Sequence, residues 1–270
     1  MKLIESSVQI IEEKDPYKMI ELAGRTCYKS EDKTTENSAK EFVDRMIKLG
    51  HGAMLEHGTI YLKIDKTEDG HLPPARLYWS DGNRKKYTRV RKHGNSIYVT
   101  TNLRVIVENN RLDDLQYQVD PTEHHEKRIT VKFICDRGVS HEFVRHRVFS
   151  FAQESQRYCN YSKDKFNNEI TFIMPSWWNY NSSIIESGER YFCEILQKCE
   201  DYYKSLLDMG YKPQEARVVL PNATKTELVM TGFESDWEHF LSLRTSKNAH
   251  PDAQKLANEL KELLTNVKNN

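Results

Sequence analysis

The chain has 270 residues, enough for one large domain or two small ones, and its charges balance at 40 Lys+Arg against 40 Asp+Glu. That balance argues against a general nucleic-acid coat or a polybasic membrane protein, in which basic residues dominate. No run approaches the roughly 20 apolar residues that cross a bilayer, and the opening MKLIESSVQIIEEKD sets acids inside its apolar stretch, unlike a secretory signal.

Weak alternation predicts a strand over 2–11. Ser38 followed by Glu41 has the form of a capping box, and the helix it opens ends at Gly50 as a C-terminal cap. GTIYLKI (58–64) and RITVKFI (128–134) alternate with β-branched and aromatic residues, the pattern of strands. Between them, 65–127 is charged and turn-rich, with a hairpin predicted around His93-Gly94-Asn95, and reads as an insertion on a scaffold. ITFIMP (170–175) is a further short strand, and 182–209 is an amphipathic helix stopped by Gly210. ELVMTGF (227–233) reads as a strand, while DWEHFLSLR (236–244) and PDAQKLANELKELL (251–264) read as helices. Helices mix with strands and no repeat is present, so the expected class is α+β in one domain over 1–270.

The five cysteines (Cys27, Cys135, Cys159, Cys193, Cys199) are odd in number and contain no CxxC pair, so neither a disulfide framework nor a structural zinc site is expected. The chain reads as soluble and cytoplasmic.

The segment RHRVFSFAQESQRYCNYS (145–162) carries the most chemistry. Arg145, His146, Arg147 and Arg157 stand among Ser150, Gln153, Glu154, Ser155, Gln156 and Tyr158. Guanidinium forks bind phosphate bidentately, and each charge-assisted hydrogen bond is worth about 1.5–3 kcal/mol. An isolated Arg-His-Arg is usually a solvated basic face. Here Phe149, Phe151 and Tyr158 interleave with the polar residues, which suits a half-buried polar site.

This pattern, Arg145-His146-Arg147, Ser150, Ser155 and Arg157-Tyr158, resembles the signature of the flavin-dependent thymidylate synthases. Ala152-Gln153 depart from the family's usual Asn-Glu, exchanging a carboxylate for an amide, and Glu154 stands next to it. GHGAMLEH (50–57) resembles a second family segment at Gly50, His51, Glu56 and His57. Read alone, two histidines with a glutamate suggest a metal site, but they stand six apart and one helical face would not present both. Ala53 replaces a common threonine. EARVVLP (215–221) and HFLSLR (239–244) resemble two further segments, with Arg217 and Arg244 27 residues apart as in the family. Read alone, Arg217 is an ion-pair partner and Arg244 a charge complementing a helix C-terminus. Phe233, Ser235, His239 and Asn248 replace the family's usual residues, with His250 near the last. The resemblance covers 1–64 and 128–260.

The resemblance implies that the chain methylates dUMP to dTMP with FAD, NADPH and methylenetetrahydrofolate, as a homotetramer with sites shared between chains. It implies a mixed sheet flanked by helices, with 65–127 inserted. It assigns His51, Glu142, Gln153, Glu154, Ser155, Gln156, Arg157, Arg217 and Arg244 to the substrate, with Arg244 promoting ionisation of the uracil ring. It assigns Glu56, Arg145, His146, Arg147, Gln153 and His239 to the flavin. No cysteine nucleophile is required, and none of the five stands beside a base. The competing readings are a metal-dependent hydrolase built from the ten histidines, and a nucleic-acid module using Arg145, Arg147, Arg157 and RKKYTRVRK (84–92). A third keeps flavin and folate but methylates another pyrimidine nucleotide or uridine in RNA. Neither nucleic acid nor membrane is the expected partner.

Overall fold

A computed structural model describes residues 1–67, 79, 87–163, 166–178 and 187–269. The strand expected over 2–11 divides at Glu5-Ser6 into β1 (Lys2–Ile4) and β2 (Ser7–Ile11), which join different sheets. Helix α1 (Pro16–Tyr28) starts where Asp15 accepts the Tyr17 N–H at 2.8 Å and Pro16 fills the first helical position. In α2 (Ser38–Lys48) the expected capping box does not form. Asn37 precedes the helix, and Ser38 Oγ instead donates to the Thr35 carbonyl at 3.1 Å. Gly50 ends this helix as predicted, at φ 68°, while the His51 N–H reaches the Met46 carbonyl at 2.9 Å.

After the single turn α3 (Gly52–Leu55) come β3 (Thr59–Asp65), β4 (Arg89–His93), β5 (Ser96–Asn102) and the short α4 (Leu103–Glu108). The predicted hairpin joins β4 to β5, with Gly94 at φ 55° in the first of two loop positions. Every residue of β5 is buried, and all seven pair antiparallel with β3. Ile97 and Val99 of β5 pack with Ile60, Leu62 and Ile64 of β3 against Ile20, Phe42 and Met46 of α1 and α2. The segment read as an insertion therefore completes a three-stranded sheet and shares its core. The residues 84–86 of the basic stretch and 182–186 of the predicted amphipathic helix lie outside the described residues.

The rest of the chain forms β6 (Arg128–Asp136), α5 (Arg137–Phe143), β7 (Ser150–Gln153), β8 (Thr171–Ile173), α6 (Ser187–Asp208), α7 (Pro213–Ala216), β9 (Lys225–Phe233), α8 (Glu234–Arg244) and α9 (Pro251–Asn269). The main sheet is antiparallel in the order β2-β6-β9-β7, and parallel pairing occurs between β1 and β8. With helices packed on these sheets, the α+β class read from the sequence is the class found.

The core that positions the site lies on one face of β6 and β9. Phe133, Met230, Phe143, Phe149, Trp237, Phe240, Leu256 and Leu260 form it, joining α5, α8 and α9 to the sheet. Gly232 lets the Phe149 ring lie flat on β9: a Cβ there would stand 2.4 Å from two ring carbons. The ring has nowhere to go, because Trp237 stands edge-on at 4.5 Å and Phe240 at 6.1 Å. Gly232→Ala is therefore expected to lower the unfolding free energy by about 1–3 kcal/mol, read from denaturant midpoints. An unchanged midpoint would show that the ring has room to move.

Candidate active site

The signature residues lie where the main sheet ends. Asp136, the last residue of β6, caps α5 by accepting the Val139 N–H at 2.8 Å. A turn follows α5, in which the His146 N–H meets the Phe143 carbonyl and the Phe149 N–H the His146 carbonyl, each at 3.1 Å. The chain then enters β7, the edge strand, paired with Leu228–Thr231 of β9. Ser150 and Ala152 are buried, whereas Phe151 and Gln153 are half-buried on the other side.

Arg244, at the C-terminal end of α8, reaches back to α5. Its Nη1 donates to Glu142 Oε2 at 2.5 Å, its Nη2 to the Glu142 carbonyl at 2.7 Å, and its Nε to His146 Nε2 at 3.0 Å. Three of the five N–H groups of the guanidinium are thus fixed, and the fork is held in place. His146 can accept that bond only as the neutral imidazole. Burial, and then the charges of Arg244 and His239, hold its pKa down at about 4. His239 is exposed, with its ring 6.4 Å from that of His146. Arg145 and Arg147 flank buried His146, are exposed, and have no carboxylate at ion-pair distance among the described residues.

A second feature opens on the same helix. Arg137 and His141 of α5, with Gln156, Gln214, Arg217 and Asn222, line an open recess of roughly 450 Å³ that contains no acidic side chain. Burial and the neighbouring charge of Arg217 lower the pKa of Arg137. Arg217 is exposed just past α7. Arg157 does not join this recess: it is exposed, with its guanidinium 5.5 Å from the ring of its own neighbour Tyr158. Ser155 is tied to the main chain, its N–H on the Cys27 carbonyl at 3.0 Å and its Oγ accepting the Arg157 N–H at 3.3 Å.

The amide of Gln153 has a local reason. Ser140 Oγ donates to the Arg137 carbonyl at 2.8 Å, so its lone pair is what it offers Gln153, whose Nε2 donates to it at 2.8 Å. The same Nε2 lies 3.2 Å from Thr226 Oγ1. A carboxylate has no proton for this contact. Glu154 does not stand in for the family's carboxylate. It is buried, accepting from Tyr161 Oη at 3.1 Å and Lys225 Nζ at 2.8 Å.

The remaining predicted residues lie apart. Glu56 is held by Arg104 at 2.6 Å, while exposed His51 precedes α3 and buried His57 bonds Thr231 Oγ1 at 2.8 Å. Burial, and then the adjacent Arg128, depress the His57 pKa to about 3, so it is a neutral core histidine. His51 and His57 do not converge, and no cluster of three metal-ligating side chains occurs among the described residues. Phe233 is buried beneath the Arg89 guanidinium at 4.3 Å, and Ser235 donates to Glu126 at 2.5 Å. Asn248 and His250 are exposed, the latter edge-on to Trp177 at 5.7 Å. Arg137 and His141 went unread in the sequence. The available signal was the strand-end triplet Asp136-Arg137-Gly138, eight residues ahead of Arg145.

The family model described as "Thymidylate synthase complementing protein" matches residues 9–69 and 115–268. A flavin-dependent thymidylate synthase of Geobacter sulfurreducens is 34% identical over 131 residues, 48% of this chain and 53% of that protein. The chain thus spans about half the length of that curated relative. A flavin-dependent thymidylate synthase of Mycobacterium avium is 24% identical over 262 residues, 92% of this chain and 75% of that one. Among solved structures, a UMP/dUMP methylase PolB from Streptomyces cacaoi bound with 5-Br dUMP aligns with a TM-score of 0.46 at 16% identity, covering 98% of this chain and 93% of that one.

The neutral state of His146 gives a pH prediction. Its folded pKa, about 4, lies below the ordinary 6.5, so the unfolded chain binds the extra proton first. The stabilisation is complete above about 6.5 and is lost as pH falls toward 4. Replacing Arg244 with Ala removes one of the two neighbouring charges, and the His146 imidazole should then titrate closer to 6.5 in NMR, though still below it because burial is the larger cause. An unmoved titration would show that the two side chains do not touch.

Proposed function

Because the chain belongs to the thymidylate synthase complementing protein family, we propose that it methylates dUMP to dTMP, taking the carbon from methylenetetrahydrofolate and the reducing equivalents from NADPH through FAD. The observation that carries this reading is the placement of Arg217 and Arg244, which converge on the one short helix α5 from two stretches 27 residues apart. Arg217 borders the acid-free recess, which suits the nucleotide phosphate. Arg244, held by Glu142 and neutral His146, keeps two N–H groups for negative charge developing on the uracil ring. Such preorganised donors are worth about 3–4 kcal/mol of barrier.

Glu142 orients the arginine, and the Ser155-Gln156 turn supplies hydrogen bonds to the nucleotide. Gln153 acts on the nucleotide side through Ser140 and the start of α5, and Glu154 from its own network with Lys225 and Tyr161. FAD, when bound, supplies the hydride. Arg145 and Arg147 fit its anionic dinucleotide portion, being exposed cations without carboxylate partners among the described residues. His146 and His239 stand beside each other next to these cations, and Glu56, which lies apart in this chain, offers the oxygen that Arg104 leaves open to a pocket shared between chains.

The assembly proposed is a homotetramer in the cytoplasm. It is supported by the exposed apolar side chains of α6, where Tyr191, Ile195 and Tyr202 recur at spacings of four and seven on one face. His51 and Arg157 face outward, which suits pockets completed by a neighbouring chain. No helix among the described residues is long and apolar enough to cross a membrane.

Purified protein is expected to be yellow, to bleach with dithionite, and to release tritium from 5-tritiated dUMP when given methylenetetrahydrofolate and NADPH. Arg244→Ala should lower turnover by at least about 10²-fold while keeping the fold and the flavin. A variant of wild-type activity would remove Arg244 from the chemistry, and a colourless wild-type protein without tritium release would remove the function.

A further inference from the structure

The anion recess has a member that neither the signature nor the family segments assign. We propose that Arg137 is the partner of Arg217 in holding a phosphate dianion, and that this pair selects a 5′-monophosphate over the bare nucleoside. The proposal rests on the function given above only for the nucleoside attached to that phosphate. The anion site itself stands on the local geometry.

Arg137 is aimed by its own main chain. Its N–H donates to the Asn222 carbonyl at 2.8 Å and to the Thr224 carbonyl at 3.1 Å, fixing the start of α5 against the turn that leads into β9. Its guanidinium is half-buried and has no carboxylate at ion-pair distance among the described residues. The acids nearby are already engaged: Asp136 accepts the Val139 N–H, and Glu154 is held by Lys225 and Tyr161. Arg217 lies close enough for the two like charges to oppose each other. Two like charges held side by side, that of Arg137 half-buried and neither with a carboxylate at ion-pair distance among the described residues, oppose each other, and an anion between them removes the cost.

The rest of the wall is neutral or basic: Gln156, Gln214, Asn222 and His141 add donors and no carboxylate competes. Two guanidinium forks present more N–H groups than the three terminal oxygens of a phosphate monoester require, so a dianion is matched in both charge and geometry. Arg157, turned out over Tyr158, does not supply this second charge in the chain as folded.

The test uses the full chain and three ligands: dUMP, deoxyuridine and inorganic phosphate. In Arg137→Gln, calorimetry should show dUMP binding about 10- to 100-fold weaker, deoxyuridine binding within about twofold of wild type, and no thermal protection by inorganic phosphate. Turnover at saturating dUMP should stay near the wild-type value, so that the loss falls on KM. Arg137→Lys, which keeps the charge and loses the fork, should recover part of the dUMP affinity and guards against a folding defect in the first variant. Equal loss of dUMP and deoxyuridine would mean a merely structural role, and phosphate protection retained in Arg137→Gln would place the anion elsewhere; either result overturns the proposal. Failure of the methylation reading would show differently: wild-type protein would form no dTMP, yet phosphate protection would still distinguish wild type from Arg137→Gln.

Discussion

The nine-pair ladder between β6 and β9 is the constraint on which the site depends, because each of these strands runs directly into a helix that carries an anchoring residue. Asp136, opposite Lys225, passes into α5 at one end of the ladder, and Phe233, opposite Arg128, passes into α8 at the other. A strand of nine residues spans roughly 30 Å and a helix of eleven roughly 16 Å. For Arg244 to reach Glu142, α8 must turn back along the sheet face, with α5 lying over the same face. The aromatic core does this: Phe143 of α5 stands 5.1 Å from Phe240 of α8, and Phe133 of β6 lies beneath both. Packing of apolar rings thus sets a polar contact that neither helix would make alone.

The polar contact in turn settles the state of its titrating member. A charged His146 would have no lone pair for the Arg244 Nε–H and would stand, buried, beside a guanidinium. The aromatic wall of Phe149 and Phe240 around the imidazole therefore keeps it neutral, and the bond that Nε2 accepts from Arg244 leaves the proton on Nδ1. Core packing and electrostatics cannot be separated here. Gly232 is the clearest case, since its lack of a side chain seats Phe149, and Phe149 is part of what desolvates His146.

What was legible in the sequence follows from how local each signal is. The alternation of RITVKFI and ELVMTGF, and the terminating Gly50 and Gly210, depend on neighbours in sequence and appear where they were read. The Asp15-Pro16 start of α1 was equally local and went unread. The capping box at Ser38 failed because its hydroxyl found the Thr35 main chain closer. Residues 2–11 divided because Lys2–Ile4 pairs with Thr171–Ile173, a partner some 170 residues away that no local pattern records. The signature residues were recognisable by spacing, but spacing does not say which of its arginines share a cavity. Arg137 shares one with Arg217 through the path of the chain around Asn222, and Arg157 does not.

The departures at Gln153 and at Phe233 and Ser235 have a common physical form: each finds in this chain a partner suited to it. Gln153 needs an acceptor and finds Ser140 Oγ, whose own proton is already committed to the Arg137 carbonyl, so amide and hydroxyl form one directional chain that ends at the first residue of α5. Phe233 offers a ring face, and β4 of the segment read as an insertion lays the Arg89 guanidinium on it while Glu126 and Asp236 hold that guanidinium from the side. Ser235 donates to the same Glu126. The hairpin strand β4 thus reaches the start of α8, the helix that ends in Arg244. That strand pairs with β5, and β5 pairs along its whole length with β3. A shift of the β3–β5 register by one residue would move every side chain of β5, which is buried on both faces, to the opposite face and carry Arg89 off the ring. The segment read as an insertion is therefore joined to the start of α8 through the Arg89 cation on the Phe233 ring, the Arg89–Asp236 pair and the Glu126–Ser235 bond, and the placement of α8 depends on the segment that its spacing alone left unexplained.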